Sequence, residues 1–308
     1  MRVWIANPFD NLPQEGFRPQ RYWLMARAFV RAGHDVVCWS ADFSHASKRP
    51  RDPSALEGSH EGIDLLLAHE PPYPTNVCLR RLWSHWRFAR NWLGSARREL
   101  AGGRARPDVL IASSPPLALG AAARRLCRET GAKLVVDVQD AWPETFSRVV
   151  PAPLLTPLKR LAGRNYRAAD AITVVSGSYL ELVRGYGARC PMFLCPHGID
   201  MGVKEARKGT EGGSDGTLRL AYVGNMSLSY DLATVVDAVK DMTDVTLDLA
   251  GSGPDETSLR ARAEGCGRIR FHGYLPEDAL RGLLSRADAG VIPMFDASLV
   301  GLPGKLAD

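Results

Sequence analysis

The chain has little cysteine. Six cysteines (38, 78, 127, 190, 195 and 266) are scattered over 308 residues, with no CxxC pair and no Cys/His spacing that suits a metal. That excludes a disulfide scaffold and a zinc module, and reads as reduced thiols packed as small apolar groups in a reducing compartment. A run of ~18 apolar residues is also missing, so no segment reads as a membrane span. Met1-Arg2 leads straight into an apolar strand, so no secretory leader is expected. Charge of one sign does not dominate: the net charge is +5, with a pI near 8.9. Such a mild excess favours anionic partners without naming one. Of the residues, 45% are hydrophobic and 24% charged, an ordinary globular balance. The length suits two domains.

Those domains show in the pattern. "RVWIAN" (2–7) reads as a buried strand, "RYWLMARAFVRAG" (21–33) as a helix closed by Gly33, and "HDVVCWS" (34–40) as the next strand. Further Val/Ile-rich strands are expected at 108–115, 132–140 and 171–176, with a helix over 117–131. Strands apolar on both faces that alternate with helices imply a parallel sheet. The segment 204–217 is Gly-rich and charged, without apolar periodicity, and reads as an interdomain loop. A second α/β series follows, with strands at 218–224, 245–251, 269–273 and 289–293. Its helices are expected near 231–242, 255–265 and 276–286. The domains are therefore placed at 1–196 and 218–308, with 197–217 as linker.

Ligands of such sheets bind beyond the carboxyl ends of the strands. In the second domain those ends carry Gly224, Gly251 with Gly253, Gly273 and Pro293. One glycine turn is commonplace, but several on one edge favour a phosphate-bearing ligand. In the first domain, the loop 7–22 holds Gly16, Arg18 and Arg21, which reads either as a diphosphate cradle or as a surface loop with solvated arginines. In "DVQDAWPETF" (137–146), Asp140 and Glu144 suit a base or an acceptor of sugar hydroxyls, and Trp142 suits stacking on a sugar ring. The alternative is an acidic helix start with a core tryptophan. His197 and Asp200 in "PHGID" read as hinge residues.

The segment 79–106 holds eight arginines and one acid. Leu79, Leu82, Trp83, Trp86 and Leu93 share one helical face, expected to be core, and Arg81, Phe88 and Trp92 share another, expected to be exposed. Arginine beside exposed aromatics suits an anionic membrane surface. No nucleic-acid motif is present, and nucleic acid ranks last as a partner.

The order of the motifs resembles family 4 glycosyltransferases of the GT-B fold, in particular the branch of bacterial capsule, O-antigen and exopolysaccharide clusters. The matching residues are "RYWLMARAFVRAGHDVVCW", "DVQDAWPE", "AADAITVVSGSYLE", "PHGID", "LAYVGNMSLSYDL", "LAGSGPDETSLRARA", "IRFHGYLPEDALRGLLSRADAGVIP" and "GLPGKLAD". The resemblance implies an α/β architecture: two Rossmann-like doubly wound parallel-sheet domains facing a cleft, the second incomplete. It implies transfer of a sugar, with retention, from a nucleotide-sugar donor; with the basic aromatic segment 79–106, the expectation is a cytoplasmic enzyme, peripheral on the inner membrane, acting on a lipid-linked glycan acceptor. No obligatory metal or other cofactor is implied. Donor contacts fall on Gly16, Arg21, Gly224, Asn225, Gly253, Gly273, Tyr274, Leu275, Lys305 and Asp308. Catalytic roles fall on Asp140 and Glu144, and acceptor contacts on Gln139 and Trp142.

The departures are specific. The first glutamate of the family's Glu-x7-Glu motif falls at Val300, and its second at Asp308. Asn225 stands in the usual arginine position, with no lysine before Tyr230. A common first-domain histidine is Gln139, and Lys305 is expected to supply the missing phosphate charge. "GLPGKLAD" reads as the start of a donor-closing helix, so the expectation is a fragment of a longer chain, with a shortened natural protein as the alternative. The rival functions are a sugar-nucleotide epimerase and a non-catalytic donor-binding scaffold.

Overall fold

The computed structural model describes residues 1–75, 78–147, 150–198, 216–227 and 230–294. Lys305, Asp308, Asp200 and Val300 lie outside them, as does most of the expected linker. The chain divides into two compact units, the first ending at Asp200.

The first unit runs β1 (Arg2–Ala6), α1 (Arg21–Arg31), β2 (Asp35–Ala41), α2 (Pro53–Leu56), β3 (Gly58–His60), β4 (Ile63–Ala68), α3 (Leu79–Ala101), β5 (Val109–Ser114), α4 (Leu117–Thr130), β6 (Lys133–Val138), α5 (Ala152–Ala168), β7 (Ala171–Val174), α6 (Gly177–Gly185) and β8 (Met192–Leu194). Its eight strands are ordered β3-β4-β2-β1-β5-β6-β7-β8. All pairs are parallel except β3 with β4. Val3, Trp4, Ile5 and Ala6 of β1 are all buried, because helices cover both faces of the sheet. α1 packs on one face with Tyr22, Trp23 and Ala26. α3, α4, α5 and α6 cover the other.

The second unit holds β9 (Leu218–Val223), α7 (Leu232–Asp241), β10 (Val245–Ala250), α8 (Glu256–Arg262), β11 (Ile269–Gly273), α9 (Glu277–Leu284) and β12 (Ala289–Gly290). Its strands form a parallel sheet ordered β11-β10-β9-β12. Both doubly wound sheets expected from the sequence are present.

The aromatic faces of α3 are inverted relative to expectation, although Leu93 is buried as expected. Phe88 and Trp92 are fully buried, with His85, Ala89, Leu93 and Ala96, whereas Trp83 is 49% and Trp86 51% exposed. Both stripes are aromatic, so hydrophobicity alone does not choose between them. The inner stripe carries Ser84, Ala89 and Ala96, small residues that let the helix approach its neighbours. It also completes an aromatic stack: Trp4 lies 5.7 Å from Trp39, and Trp39 meets Trp92 edge-on at 6.4 Å. Arg81 shares the inner stripe, which carries its side chain inward at the carboxyl edge of the sheet.

Candidate functional site

The carboxyl edge of the first sheet begins with the loop after β1. The Asp10 carboxylate accepts from Tyr22 N at 3.0 Å, capping α1 from a distance, and the Gln20 side-chain Oε1 accepts from Asn11 N at 2.7 Å. A 3-10 turn over Pro13–Glu15 ends at Gly16, whose φ is +80°. A Cβ at Gly16 would meet nothing within 4 Å, so the backbone angle, not packing, calls for glycine, and the space beside it is open. Arg51 holds this loop from behind. Its guanidinium donates to Glu15 Oε2 at 3.0 Å, to the Asp10 carbonyl at 3.0 Å, and to Ser40 Oγ and the Ala41 carbonyl. In sequence Arg51 sits in the unremarkable loop "RPRDP", and no signal marks it.

Arg21 does not face a phosphate site, as expected from the sequence, but closes a buried ion pair. Its Nε and Nη2 donate to the two Asp137 oxygens at 2.9 and 2.8 Å, and its Nη1 donates to the Pro196 carbonyl at 2.9 Å. Gln139 Nε2 and Thr173 Oγ1 each donate to the same carboxylate at 2.5 Å. The Gln139 amide, expected at the acceptor, is thereby anchored to Asp137.

Past β6 the three residues of "DAWPE" expected to act together are separated. Asp140 lies at the open rim, its N–H turned to the Ser114 carbonyl. Surrounding protein lifts its carboxyl above the ordinary range, and Arg81 pulls it part of the way back. Trp142 is only 5% exposed, with Phe146 at 4.7 Å and His85 at 5.5 Å, so it has no open face for a sugar ring. Glu144 turns away toward α5 and the end of α6, where it accepts from the Tyr186 hydroxyl and lies 3.7 Å from Lys159 Nζ. Trp142 and Glu144 are thus turned into the fold, while Asp140 is exposed.

Glu70, just after β4, was not anticipated. It is 1% exposed, its Oε1 accepts from Ser84 Oγ at 3.1 Å, and among the described residues its Oε2 has no hydrogen-bond partner. Burial pushes the carboxyl up to about 8, against the Ser84 hydrogen bond and Arg81, which favour the anion.

In the second unit the turns after β9, β10 and β11 are laced together. Gly224 N donates to the Ala250 carbonyl, Gly251 N to Gly273 O, Met226 N to Ser252 O and Asp255 N to Met226 O, all at 2.7–3.1 Å. A Cβ at Gly251 would collide with the Gly224 carbonyl, and one at Gly253 with the Met226 carbonyl. Neighbouring backbone therefore accounts for these two glycines. Gly273 differs: φ is +65° and the space beside it is open. Tyr274 is 80% exposed, while Leu275 packs inward. Asn225 is exposed, its carbonyl held at 2.6 Å by the buried Tyr222 hydroxyl. Among the described residues no three His, Cys, Asp or Glu side chains converge as metal ligands.

Two Rossmann-like units, each with its functional loops on the carboxyl edge of a parallel sheet, define the GT-B class of glycosyltransferases. The model of Glycosyltransferase Family 4 matches residues 21–203, more than half of the chain, and the chain belongs to that family. Solved structures share the fold. Sucrose-phosphate synthase from Thermosynechococcus elongatus superposes with a TM-score of 0.70 at 14% identity, over 96% of this chain and 77% of that one. The catalytic domain of starch synthase IV from Arabidopsis thaliana, bound to ADP and acarbose, gives 0.65 at 12% identity, over 98% and 79%. HepE of Anabaena, in complex with UDP and glucose, gives 0.61 at 14% identity, over 96% and 74%. No curated protein matches the chain. Among the described residues no helix is long and apolar enough to cross a membrane.

Two stability predictions follow from this edge. All seven tryptophans precede residue 143, so tryptophan fluorescence reports unfolding of the first unit alone. Arg21→Met, which strands the Asp137 charge, is expected to cost about 3–5 kcal/mol in urea unfolding followed by that signal; a loss under about 1 kcal/mol would contradict the assigned role. Glu70 binds its proton more tightly in the native than in the unfolded chain. Its contribution is therefore full below the unfolded pKa of 4.5 and lost as pH rises through about 8. Glu70→Gln should match the parent near pH 4 and exceed it near pH 9 by roughly 3–5 kcal/mol, at about 1.4 kcal/mol per pKa unit. A difference that does not change with pH would overturn this.

Proposed function

We propose that this glycosyltransferase moves a sugar, with retention, from a nucleotide-sugar donor to a lipid-linked glycan acceptor in bacterial surface polysaccharide assembly. The observation that carries the reading is the Gly16 turn: a positive-φ backbone with open space at a strand end, where N–H groups can meet a diphosphate. The open Gly273 turn with exposed Tyr274 suits the nucleoside, and Asn225 the phosphates. Lys305 and Asp308, outside the described residues, are assigned the leaving-group charge and the ribose. HepE with UDP-glucose and starch synthase IV with ADP support a nucleotide-sugar donor. Asp140 orients the acceptor hydroxyl and takes up its proton. No step in this reading requires a metal.

The exposed stripe of α3 is assigned to the cytoplasmic face of an anionic membrane. Leu79, Leu82, Trp83 and Trp86 are exposed, with Arg87 over the Trp83 ring at 5.9 Å and Arg90 over Trp86 at 5.8 Å. Rings flanked by guanidinium groups suit an interface between headgroups and acyl chains.

Two experiments test these assignments. Release of free nucleotide from a donor sugar should depend on added glycan acceptor, and Asp140→Asn should lower that rate about 10²–10⁴-fold with donor affinity unchanged. Interconversion of the donor sugar without acceptor would point to an epimerase, and donor binding without turnover on any acceptor to a scaffold. Separately, the chain should sediment with phosphatidylglycerol vesicles at low salt and release as salt rises, with Trp83→Ala/Trp86→Ala weakening binding at least about tenfold. Full recovery in the supernatant at low salt would remove the membrane assignment.

A further inference from the structure

One wall of the first-unit edge has no part in the reading above. It is built from Phe9 after β1, His45 and Lys48 after β2, Glu70 and Tyr73 after β4, and Arg81 and His85 on the first turns of α3. Its centre is the Arg81 guanidinium, which lies 5.3 Å from the Trp142 ring, 5.5 Å from Phe9 and 5.9 Å from Tyr73. Arg81 Nε donates to His85 Nε2 at 3.2 Å. Lys48 is fixed on the same wall, with its ammonium 4.7 Å above the Tyr73 ring and 2.6 Å from the His45 carbonyl. His45 Nδ1 meets the Tyr73 hydroxyl at 2.5 Å.

The chemistry of this wall is that of a positioned cation. Three aromatic neighbours cover the guanidinium, so it cannot swing freely into solvent, and a ligand meets it edge-on. An edge-on guanidinium matches a planar or tetrahedral oxyanion, and the apolar rings strengthen the attraction by excluding water. Tyr73 also hydrogen-bonds the guanidinium, and Asp140, Glu70 and Cys78 act on it electrostatically. Burial, then Arg81, pushes His45 down to about 3 and His85 well below its ordinary value, so both rings are neutral. Glu70 is tied to Ser84 and holds its proton near neutral pH. Asp42 is occupied by the His69 ring and the Glu70 N–H. Asp140, the remaining acid, stands at the rim beside Arg81.

We infer that this wall binds an anionic substituent of the acceptor, a phosphate ester or a carboxylate, on Arg81 with Lys48 as second cation, so that the acceptor is an acidic sugar. This rests on the acceptor lying at the Asp140 rim, as in the function proposed above. The anion then sets the orientation in which the acceptor hydroxyl meets Asp140, and neutral glycans are discriminated against.

The test is direct binding to the full chain without donor, read by Trp142-sensitive fluorescence and by thermal shift. The probes are glucose 6-phosphate, glucuronate and glucose. The expected result is saturable binding of at least one anionic sugar, weakened by salt, with glucose at least tenfold weaker. Preference between the two anions then identifies the substituent as phosphate or carboxylate. Arg81→Gln should lose about 10- to 100-fold in anion affinity, the worth of a charge-assisted hydrogen-bond pair. Arg81→Lys should lose less, and Lys48→Gln several-fold. Equal affinity for glucose and both anions would overturn the inference. So would unchanged anion affinity in Lys48→Gln and Arg81→Lys, which decide the matter if Arg81→Gln does not fold. UDP and ADP binding, measured on the same samples, should not change in any variant. Failure of the nucleotides to bind would count against the donor assignment and leave the anion result standing.

Discussion

The buried carboxylate of Asp137 is the constraint on which the first unit depends. A charge without solvent survives only when its lone pairs are filled, and Asp137 receives four donors, from Arg21, Gln139 and Thr173. These arrive from the start of α1, the end of β6 and the middle of β7, so one carboxylate fixes three elements that are distant in sequence. Arg21 then spends its remaining reach on the Pro196 carbonyl, immediately before His197. The last described segment of the unit is thereby tied to the helix that follows the Gly16 loop. A residue that satisfies a buried anion is not available to a substrate phosphate. The cation expected to bind donor instead ties α1 to β6 and to the Pro196 backbone.

Arg51 follows the same logic on a smaller scale. Its side chain is almost wholly buried, and its partners are the Glu15 carboxylate and carbonyls on either side of the loop. A loop with a left-handed turn at Gly16 would otherwise sample many conformations, and each would be lost on meeting a ligand. Cross-bracing by Arg51, by Asp10 at the α1 N-terminus and by Gln20 removes that cost in advance. In the second unit, backbone does what Arg51 does in the first. The turns after β9, β10 and β11 brace one another through N–H to carbonyl hydrogen bonds.

What was legible in the sequence follows from which interactions are local. Strands such as Val3–Ala6, and the helix stop at Gly33 with φ of +79°, are set by nearest neighbours and periodicity, and their elements appear within a residue or two of expectation. The face of α3 is not local. Two aromatic stripes compete, and what decides is Trp39 on another strand, waiting for Trp92. The glycines of the second unit are visible in sequence but their cause is not, since a close backbone and a close ligand both exclude Cβ, and at Gly251 and Gly253 the close group is backbone. Arg51 and the His45–Lys48 loop were illegible for a further reason: their partners lie on elements that only the sheet order brings together.

The residues after β6 show how a cluster that is dense in sequence becomes selective in space. Backbone hydrogen bonds to the end of β5 and a tight turn from Asp140 to Trp142 send successive side chains in different directions. Trp142 goes inward and becomes the floor beneath Arg81. Glu144 goes sideways, its Oε1 meeting the Tyr186 hydroxyl and Lys159. Asp140 stays exposed at the rim, within the field of Arg81, whose guanidinium lies among the Phe9, Tyr73 and Trp142 rings. A carboxylate acts on a substrate proton only if its own surroundings have not already satisfied it. Glu144 Oε1 is committed to Tyr186 and Lys159, whereas Asp140 is exposed at the strand end. The fold also sets Arg81 where it both moderates the Asp140 carboxyl and can meet an anion beside it.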